Sequence, residues 1–142
     1  MMIFEQFYLE CLSHASYLVG DTTTGTAVVV DPQRDIQQYL DRAQELGLTI
    51  AYVLETHFHA DFLSGHLELA NATGATICFG AEARPQFPAR LLQDNEQLVL
   101  GEVVIETRLT PGHTPESTSY VVYEHADDTV PYGVLTGDTL FI

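Results

Sequence analysis

A chain of 142 residues with 46% hydrophobic content is long enough for one domain with a packed core and too apolar for a disordered tail. Twenty acidic residues against five basic ones give a formal charge of −15, which repels nucleic acid and anionic membranes at long range. All five basic residues are arginines (Arg34, Arg42, Arg84, Arg90, Arg108), and without lysine the chain can build neither a Schiff base nor a P-loop phosphate site.

The longest apolar runs, such as Ala27 to Val30 and Ile50 to Leu54, are far too short to cross a bilayer. Met1-Met2-Ile3-Phe4-Glu5 carries no basic stretch ahead of an apolar one. The expectation is a cytoplasmic protein with no signal peptide and no transmembrane helix. Cys11 and Cys78 lie far apart and form no C-x-x-C motif, so both read as buried free thiols.

In chain order, Ile3 to Tyr8 alternates as a strand, and Ser16 to Val19 reads as a second strand ending at the turn signal Gly20-Asp21. Thr26 to Val30 follows as a hairpin partner and stops at Asp31-Pro32. From Ile36 to Leu46 the apolar residues Ile36, Tyr39, Leu40, Ala43 and Leu46 keep helical spacing, with Asp35 as cap and Gly47 as stop. Thr49 to Leu54 is apolar in its middle, as in a strand buried on both faces. A strand, a helix and a strand in this order predict an α/β layer.

Leu63 to Thr73 reads as a helix and Ala75 to Phe79 as a strand. Gly80 to Asn95, with Pro85 and Pro88, reads as a loop with room for one helical turn. Gln97 to Leu100, Val103 to Leu109, Ser117 to Tyr123 and Tyr132 to Leu135 are four further strands, and His125-Ala126-Asp127-Asp128 is a polar loop. Neither an internal repeat nor a low-complexity segment interrupts this order.

The chemistry concentrates after Leu54, in Glu55-Thr56-His57-Phe58-His59-Ala60-Asp61-Phe62. His57, His59 and Asp61 are spaced by two, so in an extended segment they face one way and present two imidazoles and a carboxylate together. The position matters as well, because open α/β sheets commonly place their chemistry at the carboxyl ends of their strands. His113 follows Pro111-Gly112, where the glycine permits a tight turn, and Asp138 follows Gly137 at the end of an apolar run. Each has a plain alternative: His113 could be a turn residue, and Asp138 could close a turn. A metal centre needs ligands converging from several segments, and these five residues supply them.

The ordered motifs T-H-x-H-A-D, T-P-G-H-T-P and T-G-D-T-L-F resemble the metallo-β-lactamase fold superfamily, in particular its persulfide dioxygenase and glyoxalase II branches. The resemblance runs from about Cys11 to the last residue. It implies an α/β fold of the αβ/βα sandwich type, one partial domain over 1–142, with the metal at one edge between two sheets. Dinuclear zinc hydrolases of the superfamily carry H-x-H-x-D-H, whose last histidine falls on Phe62 here. Phenylalanine has no lone pair for a metal, which favours a single-metal enzyme.

By resemblance, the ligands of that one metal are His57, His113 and Asp138, with His59 and Asp61 close by as catalytic or additional metal-binding groups. Two histidines and a carboxylate leave positions for substrate and O2, as in non-haem iron oxygenases. The implied activity is an Fe(II) dioxygenase oxidising a thiol persulfide, such as glutathione persulfide, to sulfite and thiol. Two alternatives stand beside it: a Zn(II) thioester hydrolase of glyoxalase II type, and a truncated, non-catalytic metal-binding module.

Relatives continue with further sheet and helix beyond Asp138, so the C-terminal part of the fold is expected to be missing and a homodimer to cover the apolar edges. Of the other histidines, His14 is expected to be structural, His66 to lie on the helix after the cluster and near the metal ligands, and His125 to be exposed.

Overall fold

Strand signals dominate the sequence, and the structure, a computed structural model, resolves them into two sheets. It describes residues 1–9, 14–57, 65–81, 89–110, 117–136 and 139–141, with backbone alone at 9, 14 and 139–141. The first sheet comprises β1 (Met2–Leu9), β2 (His14–Asp21), β3 (Thr26–Val30), β4 (Thr49–Leu54), β5 (Thr76–Gly80) and β6 (Arg90–Leu92), side by side in chain order. β1, β2 and β3 are antiparallel neighbours, whereas β3 to β6 run parallel. The change follows from the connections: the turn at residues 22–25 joins β2 and β3 as antiparallel neighbours, while α1 (Gln37–Leu46) and α2 (His66–Thr73) provide the crossovers that parallel pairing requires from β3 to β4 and from β4 to β5. The second sheet is antiparallel throughout, ordered β11 (Thr139–Phe141), β10 (Gly133–Leu135), β9 (Thr118–Tyr123), β8 (Val103–Leu109), β7 (Gln97–Leu100).

Period-two alternation divides the apolar residues between two cores. Val28 and Val30 of β3 join Tyr17, Val19 and Leu54 against Leu98, Ile105, Tyr120, Val122 and Leu135 of the second sheet. Ala27 and Val29, on the opposite face, pack with Tyr39 and Ala43 of α1 and Leu69 of α2. The layers are therefore helices, sheet, sheet. Among the described residues no helix covers the outer face of the second sheet, where Val99 is 62% exposed, and none is long and apolar enough to cross a membrane.

Several expectations change in detail. Gly20 and Asp21 finish β2 instead of forming the turn, which falls at residues 22–25; a Cβ on Gly20 would meet Leu48 Cδ1 at 2.8 Å, so the glycine serves close packing. α1 starts at Gln37 with Ile36 in the cap position, and Asp35 instead accepts from the Gln37 N–H at 3.2 Å. Gly47 at φ 68° ends α1 as expected. β4 is only partly double-faced, because Ala51 and Tyr52 keep some exposure. The 80–95 segment contains a short strand, β6, that its prolines and polar residues concealed.

Candidate metal centre

β4 delivers Glu55-Thr56-His57 to the carboxyl edge of the parallel strands, where three neighbouring segments grip the backbone. The Asp31 N–H donates to the Leu54 carbonyl at 2.8 Å, and the Glu55 N–H donates to the Cys78 carbonyl at 3.1 Å. From the second sheet, the Tyr120 hydroxyl donates to the Glu55 carbonyl at 2.7 Å and the Thr118 N–H to the Thr56 carbonyl at 2.6 Å. The two sheets are thereby tied together at the residues just before His57.

Asp31 gives this edge its polarity. It is 2% exposed and has φ 52°, a left-handed conformation that aspartate tolerates better than most residues. Its Oδ1 accepts from the Thr56 N–H at 2.8 Å and its Oδ2 from the Thr56 hydroxyl at 2.6 Å, the latter in the range of a hydroxyl bonded to an ionised carboxylate. Thr56 Oγ1 also lies 2.9 Å from His57 Nδ1. A hydroxyl has one proton, and Asp31 takes it, so the imidazole must donate from Nδ1. That tautomer puts the ring's lone pair on Nε2, the arrangement a neutral metal-ligating histidine needs.

The segment after Asp31 holds the other end of the loop that begins at His57. The Gly65 N–H donates to the Pro32 carbonyl at 3.3 Å, and a Cβ on Gly65 would collide with the Gln33 carbonyl oxygen, so only glycine allows this approach. Gln33 is fixed in turn, its N–H donating to Tyr39 Oη at 2.7 Å, while Ser16 Oγ lies 2.6 Å from the same phenol. His66, the first residue of α2, places Nδ1 3.2 Å from Glu55 Oε1.

Three buried side chains near this edge, Tyr39, Tyr120 and Cys78, are held neutral. Burial pushes the Tyr39 phenol up to about 12 and the Tyr120 phenol well above its ordinary value, so both remain protonated at neutral pH. Burial also raises the Cys78 thiol to about 12, which leaves it a packing residue and no nucleophile.

Of the expected ligands, His57 is described and is half-buried. His59, Asp61, His113 and Asp138 lie outside the described residues, as do Phe62 and Cys11. Among the described residues no group of three histidine, cysteine or acidic side chains comes together. The stems of the three ligand-bearing loops are nevertheless described, and they converge. Thr118, at the base of the loop carrying His113, pairs with Leu109 and bonds to Thr56. Leu135, just before the segment carrying Asp138, pairs with both Tyr120 and Thr139, and Tyr120 bonds to Glu55. The carboxyl edge of the first sheet and the adjoining ends of β8, β9 and β10 in the second thus support all three motifs, and His57 with its Nε2 lone pair fits a metal.

His66 does lie on the helix after the cluster, fully buried, and His125 is exposed in its loop, 3.4 Å from Asp128. His14 is in β2, with its side chain outside the description. Sequence reasoning missed Asp31, Thr56 and Tyr120 as supports. Asp-Pro at a strand end and a threonine directly before His57 were available signals for the first two, but nothing local marks Tyr120.

Comparison with known proteins agrees with the geometry. The chain is 38% identical to a metallo-β-lactamase from Staphylococcus aureus subsp. aureus COL, with a TM-score of 0.85 over 95% of this chain and 42% of that one. It is 32% identical to the persulfide dioxygenase ETHE1 of Bos taurus over 89% of this chain and 48% of the relative. It is also 32% identical to the hydroxyacylglutathione hydrolase of Rhodospirillum rubrum, over 88% and 47%. The chain spans about half the length of these curated relatives. A family model described as the metallo-beta-lactamase superfamily matches residues 9–142, and with three motif-bearing segments rooted where the two sheets meet, the chain belongs to that superfamily.

Proposed function

We propose that this chain carries the metal site of a persulfide dioxygenase, one Fe(II) being held by His57, His113 and Asp138. The observation that carries this reading is Phe62, which withdraws a ligand from any second metal and leaves a two-histidine, one-carboxylate set. Bound there, iron would supply adjacent positions at which an anionic persulfide sulfur and O2 react. A thiol persulfide, O2 and one water would give thiol and sulfite.

The protein's own contribution begins with Asp31 and Thr56, which hold the His57 proton on Nδ1 and fix the ring's direction. His59 and Asp61 would orient water or substrate by hydrogen bonding.

A second reading, zinc-dependent thioester hydrolysis, draws on the equal identity to the hydroxyacylglutathione hydrolase and to the dioxygenase. It requires a metal pair held without position 62. Metal analysis of anaerobically purified protein, followed by oxygen uptake with glutathione persulfide, separates the two. One iron per chain with oxygen consumption is the expected result. Two zincs with thioester hydrolysis would overturn the dioxygenase reading.

A further inference from the structure

The buried contact between Glu55 and His66 has no role in the ligand set. Their side chains are 0% and 1% exposed, and His66 Nδ1 lies 3.2 Å from Glu55 Oε1. With a carboxylate and an imidazole at this distance, one proton lies between them. Stability alone is weak grounds for such a pair, since desolvating two polar groups costs about what their attraction returns.

Position in the chain does explain it. Glu55 is immobilised by bonds from its N–H to Cys78 and to its carbonyl from Tyr120. His66 begins α2, its ring set edge-on against Phe79 with centroids 6.2 Å apart. Between them runs 56–65, the loop bearing His57, His59, Asp61 and Phe62. Asp31 grips its first residue and Pro32 its last. The Glu55–His66 contact joins the residues just outside those grips, so it ties the two ends of this segment together.

We infer that His66 is a positioning residue: through Glu55 it fixes the span of the 56–65 loop and so preorganises the metal ligands before metal arrives. This rests on the metal-site reading above but not on the identity of the metal or the reaction. Ordering the loop in advance removes an entropic cost from binding, so its loss is read as weakened metal affinity.

The test uses the full chain with Co(II) as probe, affinity being measured by competition with a chromophoric chelator and apo-protein stability by urea unfolding. His66→Asn keeps an amide N–H near the Nδ1 position, whereas His66→Leu removes the donor. The expected result is Co(II) affinity weakened about tenfold to a hundredfold in His66→Leu, with an altered d–d spectrum, and largely restored in His66→Asn.

If His66→Leu binds Co(II) like the wild type while its urea midpoint falls, the pair is structural only and the inference is overturned; equal weakening in Leu and Asn variants overturns it too. Should His66→Leu fail to fold, His66→Gln, whose amide reaches the Nε2 position instead, takes its place: weaker binding than His66→Asn supports the inference and equal binding overturns it. Wild-type protein that binds no Co(II) overturns the metal reading itself, and the inference with it.

Discussion

Thr56→Val tests the support of His57 with little change of shape. The wild-type hydroxyl donates to Asp31 Oδ2 at 2.6 Å and accepts from His57 Nδ1 at 2.9 Å, in a residue 1% exposed. A hydrogen bond to a charged group contributes about 1.5–3 kcal/mol, and the deprived carboxylate stays buried, so apo-protein stability should fall by about 2–3 kcal/mol. Thr56→Ser keeps the hydroxyl and loses one methyl, about 0.8 kcal/mol of burial. Urea unfolding at constant m-value measures both. The second readout is metal affinity: without the Thr56 acceptor the His57 ring loses its tautomer preference, and Co(II) binding should weaken about tenfold to a hundredfold in the valine variant while the serine variant stays near wild type. Valine and serine variants that bind Co(II) equally well would refute the proton assignment on His57.

Three more outcomes follow from the same geometry. Tyr120→Phe deletes the bond to the Glu55 carbonyl but keeps the ring, so unfolding free energy should drop by about 1–2 kcal/mol; an unchanged urea midpoint would show that the inter-sheet tie is dispensable. Burial opposes the ionisation of Asp21, but donors from Glu102, Thr23 and the N-terminus outweigh it and lower its pKa below the ordinary 3.8. Its stabilisation is therefore complete above about that value and is lost as pH falls through the lower folded value; Asp21→Asn should flatten this part of the acid limb in urea midpoints between pH 7 and 3, and an identical limb would sink the assignment. In a Cys11→Ser background, Cys78, buried and raised to about 12, should resist a disulfide reagent at pH 8 until urea is added; rapid labelling of the native protein would contradict its burial.

The strands and helices were legible because their signals are local. Val28 and Val30 alternate with Ala27 and Val29, and Gly47 marks the end of α1 by its left-handed backbone. β6 was hidden because three residues, Arg90 to Leu92, carry too little pattern between a proline-rich stretch and a turn. Gly20 misled for a different reason: the sequence shows a glycine but not the Leu48 methyl that requires one. At the site, the candidate ligands stand out in the sequence because His57, His59 and Asp61 repeat at a fixed interval. Their supports were not, because Asp31 reaches Thr56 across 25 positions and Tyr120 reaches Glu55 across 65. A hydrogen bond between distant residues leaves no period to read.

Charge adds a constraint that the ligand set alone does not. Described ion pairs include those of Arg42 with Glu5 and Glu45, Arg90 with Glu96, and Arg108 with Glu106, so those three arginines are already matched by acidic neighbours. With a formal charge of −15, the chain presents a repulsive field to an ionised persulfide, and a bound cation would offer strong local attraction. Screening should then assist encounter, because the Debye length falls from about 30 Å at 0.01 M salt to about 8 Å at 0.15 M. For the persulfide dioxygenase reading, kcat/KM with glutathione persulfide should rise over that interval at fixed pH, while a neutral persulfide should respond less. A fall with salt would mean that the field at the site is attractive, so that residues around the entrance, and not the net charge, govern how this substrate arrives.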